Sequence, residues 1–153
     1  PFYPDLPEVR RDLAQESDNI TAMDAEVGAR LRELDEAGLA EKTIVFFYSD
    51  HGSGMPGYKR EARNSGLRVP LLVRIPPRFR HLAPRDYRPG GSSARLVSFV
   101  DMAPTALALA GAPIPPSMQG RPFLGARIPA GPRHLFGFRG RMDERYDTVR
   151  CVT

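Results

Sequence analysis

Six consecutive residues, Thr43-Ile44-Val45-Phe46-Phe47-Tyr48, are β-branched or aromatic, and the next six, Ser49-Asp50-His51-Gly52-Ser53-Gly54, are polar or glycine. A run without polar alternation predicts a strand buried on both faces, because a half-solvated strand would place a polar residue at every second position. Ahead of it, Ile20, Met23, Val27, Leu31 and Leu34 recur at steps of three and four, one face of a 3.6-residue period. Pro7 suits a first helical turn, Val9 and Leu13 stand one turn apart, and Gly38 suits a helix C-cap. The opening stretch therefore predicts one long helix or a pair of helices. Helix, buried strand and polar loop together read as half of a βαβ unit. Ligands of open α/β sheets bind at that carboxyl edge.

A second buried strand is expected at 69–75, with Pro70 tolerable near its start. Residues 76–95 read as a long loop carrying Arg78, Arg80, His81, Arg85, Arg88 and Arg95, and loops of such length are usually functional or mobile. Leu96–Val100 reads as a short strand. Asp101 then caps a helix from Ala103 to Ala110, with Pro104 in its first turn and Gly111 at its end. A Pro/Gly-rich linker is expected over 113–132. Beyond it, 133–153 reads as the start of a smaller antiparallel unit with strands at His134–Phe138 and Asp147–Val152.

Composition narrows the function classes. The chain has 153 residues, 41% hydrophobic and 26% charged, the range of an ordinary globular domain. A net charge of +4 is too small for a nucleic-acid-binding tail, and no apolar run reaches the roughly 20 residues of a membrane span. The single cysteine, Cys151, excludes an internal disulfide framework and a thiolate zinc site. Without an initiator Met, and with its last residues inside an expected strand, the chain reads as an interior piece of a longer protein. Its compartment is therefore open.

Asp50-His51-Gly52 is the strongest local feature. A carboxylate and an imidazole at a strand end can face one cation, and Gly52 lets the backbone turn sharply. Equally, Asp50 can cap a turn and His51 can be a surface histidine. Lys59 and Lys42 are the only lysines, which makes each conspicuous, although either can be a solvated loop residue.

These segments, in order, resemble the type I sulfatases. The resemblance is carried by Met23-Asp24-Ala25-Glu26-Val27-Gly28, Gly38-Leu39-Ala40, Thr43-Ile44-Val45, Ser49-Asp50-His51-Gly52, Lys59, Gly66-Leu67-Arg68-Val69-Pro70-Leu71 and Ser98-Phe99-Val100-Asp101-Met102-Ala103-Pro104-Thr105. Gln119–Leu124 and Arg141–Tyr146 extend it. The resemblance implies an α/β fold, a partial alkaline-phosphatase-like three-layer sandwich, with residues 1–112 as the carboxyl-terminal part of the catalytic domain. It implies one calcium ion, held by two aspartates from the amino-terminal half together with Asp50 and His51. Lys59, nine residues before Arg68, falls on the family's sulfate-contacting lysine, a catalytic and substrate-binding role. The nucleophile implied is a formylglycine made from Cys or Ser in Cys/Ser-x-Pro-x-Arg, and neither Cys151 nor Ser117 stands in that motif. The fragment alone is thus expected to be inactive.

Asn64-Ser65-Gly66 stands where many members have a glutamate, so that carboxylate's ion pair must be absent or replaced. Cys151 reads as a core residue, His81 and His134 as structural, and Asp24 as packing or capping. Arg139, Arg141, Asp143, Glu144 and Arg145 could form an ion-pair cluster. The 76–95 arginines could attract a polyanionic sugar sulfate or form a solvated basic loop. The expected partner is a sulfated small molecule or sulfated glycan, with no nucleic acid and no membrane span. Two alternatives are a phosphoester or phosphonate hydrolase of the alkaline phosphatase superfamily, which calls for more histidines around two metals, and a non-catalytic basic binding module. Exported, periplasmic and lysosomal compartments are those the family suggests.

Overall fold

The computed structural model describes residues 2–153. They divide into two units, residues up to Thr43 and Ile44–Thr153.

In the first unit a single helix, α1, spans Pro7–Glu36. Pro7 starts it because a proline at N1 gives up an amide that has no partner there anyway. Leu6 at the N-cap contributes no side-chain bond. The other end is closed by backbone: Ala37 N–H donates to the Glu33 carbonyl (3.0 Å), Gly38 N–H to Asp35 (2.9 Å) and Leu39 N–H to Leu34 (3.0 Å). Gly38 turns at φ 65°, the left-handed conformation that glycine takes without a Cβ clash. Ion pairs Arg11–Glu8 and Arg30–Glu33 line its exposed sides. Asp24 lies mid-helix and exposed, so it caps nothing.

The second unit contains four strands. β1 (Val45–Tyr48) pairs with β2 (Leu71–Arg74), and β3 (Phe136–Met142) pairs with β4 (Arg145–Val152). Both pairs are antiparallel. This corrects the half-βαβ reading: β1 returns to β2 through residues 49–70, whose only helix is the single turn α2 (Asn64–Leu67), rather than through a crossover helix. It also corrects the reading of β1 as buried on both faces. The register Phe46↔Val73 and Tyr48↔Leu71 puts Ile44, Phe46, Leu71, Val73 and Ile75 on one face. That face meets the core of Ile75, Phe123 and Leu124, with Phe46 edge-on to Phe123 at 6.4 Å. On the opposite face Leu72 is 58% exposed.

Within the Pro/Gly-rich stretch 113–132, Phe123 and Leu124 are buried and join Ile75 in the core. Asp101 brings them in. It is buried, and its carboxylate accepts from the Ser98 N–H (2.9 Å) and the Arg121 N–H (2.8 Å). Thr105, also buried, donates its hydroxyl to the Asp101 carbonyl (2.6 Å) and accepts from the Phe123 N–H (3.1 Å). Both sit at the start of helix α3 (Met102–Leu109), which ends before Gly111 at φ 67°. Leu96–Val100 is not a strand: residues 96–98 are irregular and Phe99–Asp101 is a 3-10 turn. Asp101 draws its carboxylate back onto Ser98, which tightens the chain into that turn.

The arginine-bearing segment 76–95 is partly ordered as a 3-10 helix over Pro77–Leu82. Phe79, Ala83 and Tyr87 pack on the core, and the Tyr87 hydroxyl accepts from Ile75 N–H at 3.3 Å. Its cations are largely engaged. Arg78 and Arg80 lie over the Phe79 and Tyr87 rings, Arg88 donates to the Arg85 and Tyr87 carbonyls, and Arg95 donates to the Pro129 carbonyl.

Candidate active site

The residues with chemistry follow β1. Ser49 donates its hydroxyl to the His51 carbonyl at 2.7 Å, which fixes the turn as the chain leaves the strand. Asp50 points outward with its side chain 82% exposed. His51 is half-buried; its Nδ1 lies 2.7 Å from the Gly52 carbonyl and its Nε2 3.6 Å from Asp50 Oδ1. A carbonyl can only accept, so Nδ1 carries the hydrogen, and Nε2 is the ring nitrogen left on the Asp50 side for a cation. This is the way a second hydrogen bond orients a metal-ligating imidazole.

Residues 52–66 fold back onto this turn. A Cβ on Gly52 would strike the Ser65 carbonyl, and one on Gly66 would strike the carbonyls of Tyr58 and Glu61, so both glycines mark backbone running against backbone. Ser65 donates its hydroxyl to the Gly57 carbonyl at 2.6 Å, and Ser53 Oγ accepts from Met55 N–H at 3.1 Å. Lys59 N–H donates to the Ser53 carbonyl at 3.0 Å. Lys59 is thereby tied by its backbone to the segment just after His51, and its side chain is exposed. Asp50, His51 and Lys59 share one folded loop. His81 and His134 lie elsewhere, both exposed.

A fit to calcium can be judged from the donors. Asp50 offers hard carboxylate oxygens, the type calcium prefers, while His51 offers one softer nitrogen. A calcium ion takes six to eight oxygens, so the pair fits one corner of a site, not a whole one. Among the described residues no three of His, Cys, Asp and Glu gather into a metal-holding group.

The loop's outer end meets the β3–β4 hairpin. Arg139 donates to Asp147 on the neighbouring strand (2.5 Å) and to the Arg60 carbonyl (2.8 Å), and lies 3.6 Å from Glu61 Oε2. Arg60 pairs with Asp143 in the hairpin turn. The anticipated cluster of Arg139, Arg141, Asp143, Glu144 and Arg145 therefore forms differently. Arg139 and Asp143 reach back to the loop, while Arg141 lies over the Tyr146 ring. Glu61, three residues before Asn64, is held between Arg63 and Arg139. A cavity of about 460 Å³ separates loop and hairpin, lined by Arg60, Glu61, Leu67, Phe138 and Arg139 among others. Asp50, His51 and Lys59 do not line it. Spacing along the chain could not reveal the contacts of Arg139 with Arg60 and Glu61, which lie some 80 positions away.

The chain is α/β, and its polar, ionisable loop follows the carboxyl end of β1. The Sulfatase family model matches residues 1–112, and the chain belongs to the sulfatase family. It is 37% identical over 152 residues to an ulvan-active sulfatase of Formosa agariphila, covering 99% of this chain and 24% of that protein. It is 37% identical over 115 residues to mouse steryl-sulfatase (64% of this chain, 17% of that protein). With human N-sulphoglucosamine sulphohydrolase it shares 36% over 106 residues (69% and 20%). The chain thus spans about a quarter or less of the length of these relatives. Among the described residues no helix is long and apolar enough to cross a membrane.

Proposed function

We propose that this chain supplies one part of the active site of a sulfuric ester hydrolase. Asp50 and His51 form a corner of a calcium site, and Lys59 grips the sulfate. The fold around them is an alkaline-phosphatase-like three-layer sandwich, and the formylglycine nucleophile lies outside these residues. The observation that carries the reading is the closure of residues 49–66 on themselves, which ties Lys59 to the segment just after the Asp50–His51 turn.

Each side chain has a distinct task. Asp50 gives a negatively charged oxygen to the cation. His51, its Nδ1 hydrogen committed to the Gly52 carbonyl, keeps Nε2 available as a second donor. Calcium, when bound, withdraws electron density from the sulfate oxygens. The Lys59 ammonium offsets negative charge on a sulfate oxygen, or on the ester oxygen as its bond to sulfur breaks, charge that is largest in the transition state. The names of the relatives point to ulvan, steryl and N-sulphoglucosamine compounds, which supports a sulfated glycan or a sulfated small molecule as substrate.

In the full-length enzyme, Asp50→Ala and Lys59→Ala are each expected to lower sulfate-ester turnover by about 10²- to 10³-fold without loss of folding. Asp50→Ala should also weaken calcium binding by calorimetry, whereas Lys59→Ala should not. Near-wild-type turnover in folded Lys59→Ala would remove that residue from the mechanism.

A further inference from the structure

We infer that Arg139 is a positioning residue for Lys59: the β3–β4 hairpin clamps the lysine-bearing segment in place. The inference rests on the functional reading of Lys59 but concerns residues that no motif singles out for that role. Arg60, directly after Lys59, has φ 69°, a left-handed backbone that a side-chain-bearing residue adopts at a cost and keeps only when its surroundings insist. Arg139 provides the constraint. Its guanidinium is held on the hairpin by Asp147 and donates to the Arg60 carbonyl itself, 2.8 Å away. Its side chain is only 16% exposed, packed between hairpin and loop.

Two further contacts repeat the grip. The Arg60 side chain pairs with Asp143, the hairpin-turn residue that is itself left-handed at φ 50°. Seven residues on, Leu67 lies so close to Gly137 that a Cβ there would strike it. The segment from Arg60 to Leu67 is therefore held at both ends by the hairpin, while Lys59 is tied on its other side to Ser53. An ammonium on a four-carbon stem is mobile by nature. Fixing the backbone beneath it leaves only side-chain rotations to be ordered when an anion arrives, which lowers the cost of reaching the productive geometry.

The test uses the full-length enzyme, with amide exchange of residues 59–62 followed by mass spectrometry and 4-nitrophenyl sulfate as substrate. In Arg139→Ala the exchange of 59–62 should rise while that of α3 stays the same. Turnover should fall about 10- to 100-fold, as for other residues that orient a reacting group, mostly in kcat rather than KM. Arg139→Lys can keep the Asp147 pair but not both bonds, so it should recover part of the loss; it also tests the clamp if the alanine variant does not fold. Unchanged exchange at 59–62 in a folded Arg139 variant overturns the clamp. Faster exchange with unchanged kcat overturns it too, provided that Lys59→Ala is inactive. Full activity in Lys59→Ala would instead overturn the functional reading, and with it any positioning role, while the exchange data would still report whether the hairpin holds the segment.

Discussion

α1 runs for 30 residues without burying one of its side chains, whereas a few short elements of Ile44–Thr153 converge on Ile75, Phe123 and Leu124. The helix is maintained along its own length by ladder bonds, a proline start, a glycine exit and surface ion pairs. The second unit depends on bonds that leap along the chain: Asp101 to Arg121, Thr105 to Phe123, Arg139 to Arg60. The side chains proposed to act on sulfate, Asp50, His51 and Lys59, collect in the second unit. A site must hold several groups rigid at once, and only long-range bonds can fix residues that are remote in sequence.

The sharpest challenge to this contrast is at Asp101. Replacing it with alanine leaves the Ser98 and Arg121 N–H groups without their acceptor, and the protein should lose about 3 kcal/mol by urea unfolding, the sum of two bonds to a charged group. A loss below about 1 kcal/mol would mean that the long-range bracket contributes little. In α1, Ile20 is 56% exposed, so Ile20→Ala should change stability by no more than about 0.5 kcal/mol. A larger loss would show that α1 is covered in solution, and the difference between the units would shrink.

The smallest effect concerns Asp5. The Arg10 guanidinium, 2.5 Å away, holds its carboxyl below the ordinary carboxylate range. A depressed folded value means that the pair's contribution is fully present above the unfolded carboxylate pKa and is lost as pH falls through the lower, folded value. Both partners are exposed, so the change should register only locally. Titration of the Asp5 carboxyl carbon by NMR should give a midpoint below that of an unpaired aspartate. A normal midpoint would show that even this local support is absent.

Several features were readable from the sequence because they depend on near neighbours. The three-and-four spacing from Ile20 to Leu34 marked α1, Gly38 its exit and the apolar run 43–48 a strand. The blocks around Asp50, Lys59, Arg68 and Asp101 marked the sulfatase family. The antiparallel return of β1 to β2, the single buried face of that pair and the engaged arginines of 76–95 were not readable. An apolar run announces that a strand will be buried, but not by which partner or on how many sides. Asp101 looked like an ordinary helix cap because its second partner, Arg121, is 20 residues away.

The amino-acid order by itself settled the helix that ends at Gly38, the strands around 45–48 and 71–74 and the helix after Asp101, though not the irregular stretch before Asp101, since those elements follow from backbone preference within a few residues. Tertiary structure alone decided that Gly52 lies against Ser65, that Lys59 is bonded to Ser53, and that Arg139 reaches the Arg60 carbonyl. Such contacts are set by how the folded backbone fills space and satisfies its polar groups, and they leave no periodic trace in the order of residues.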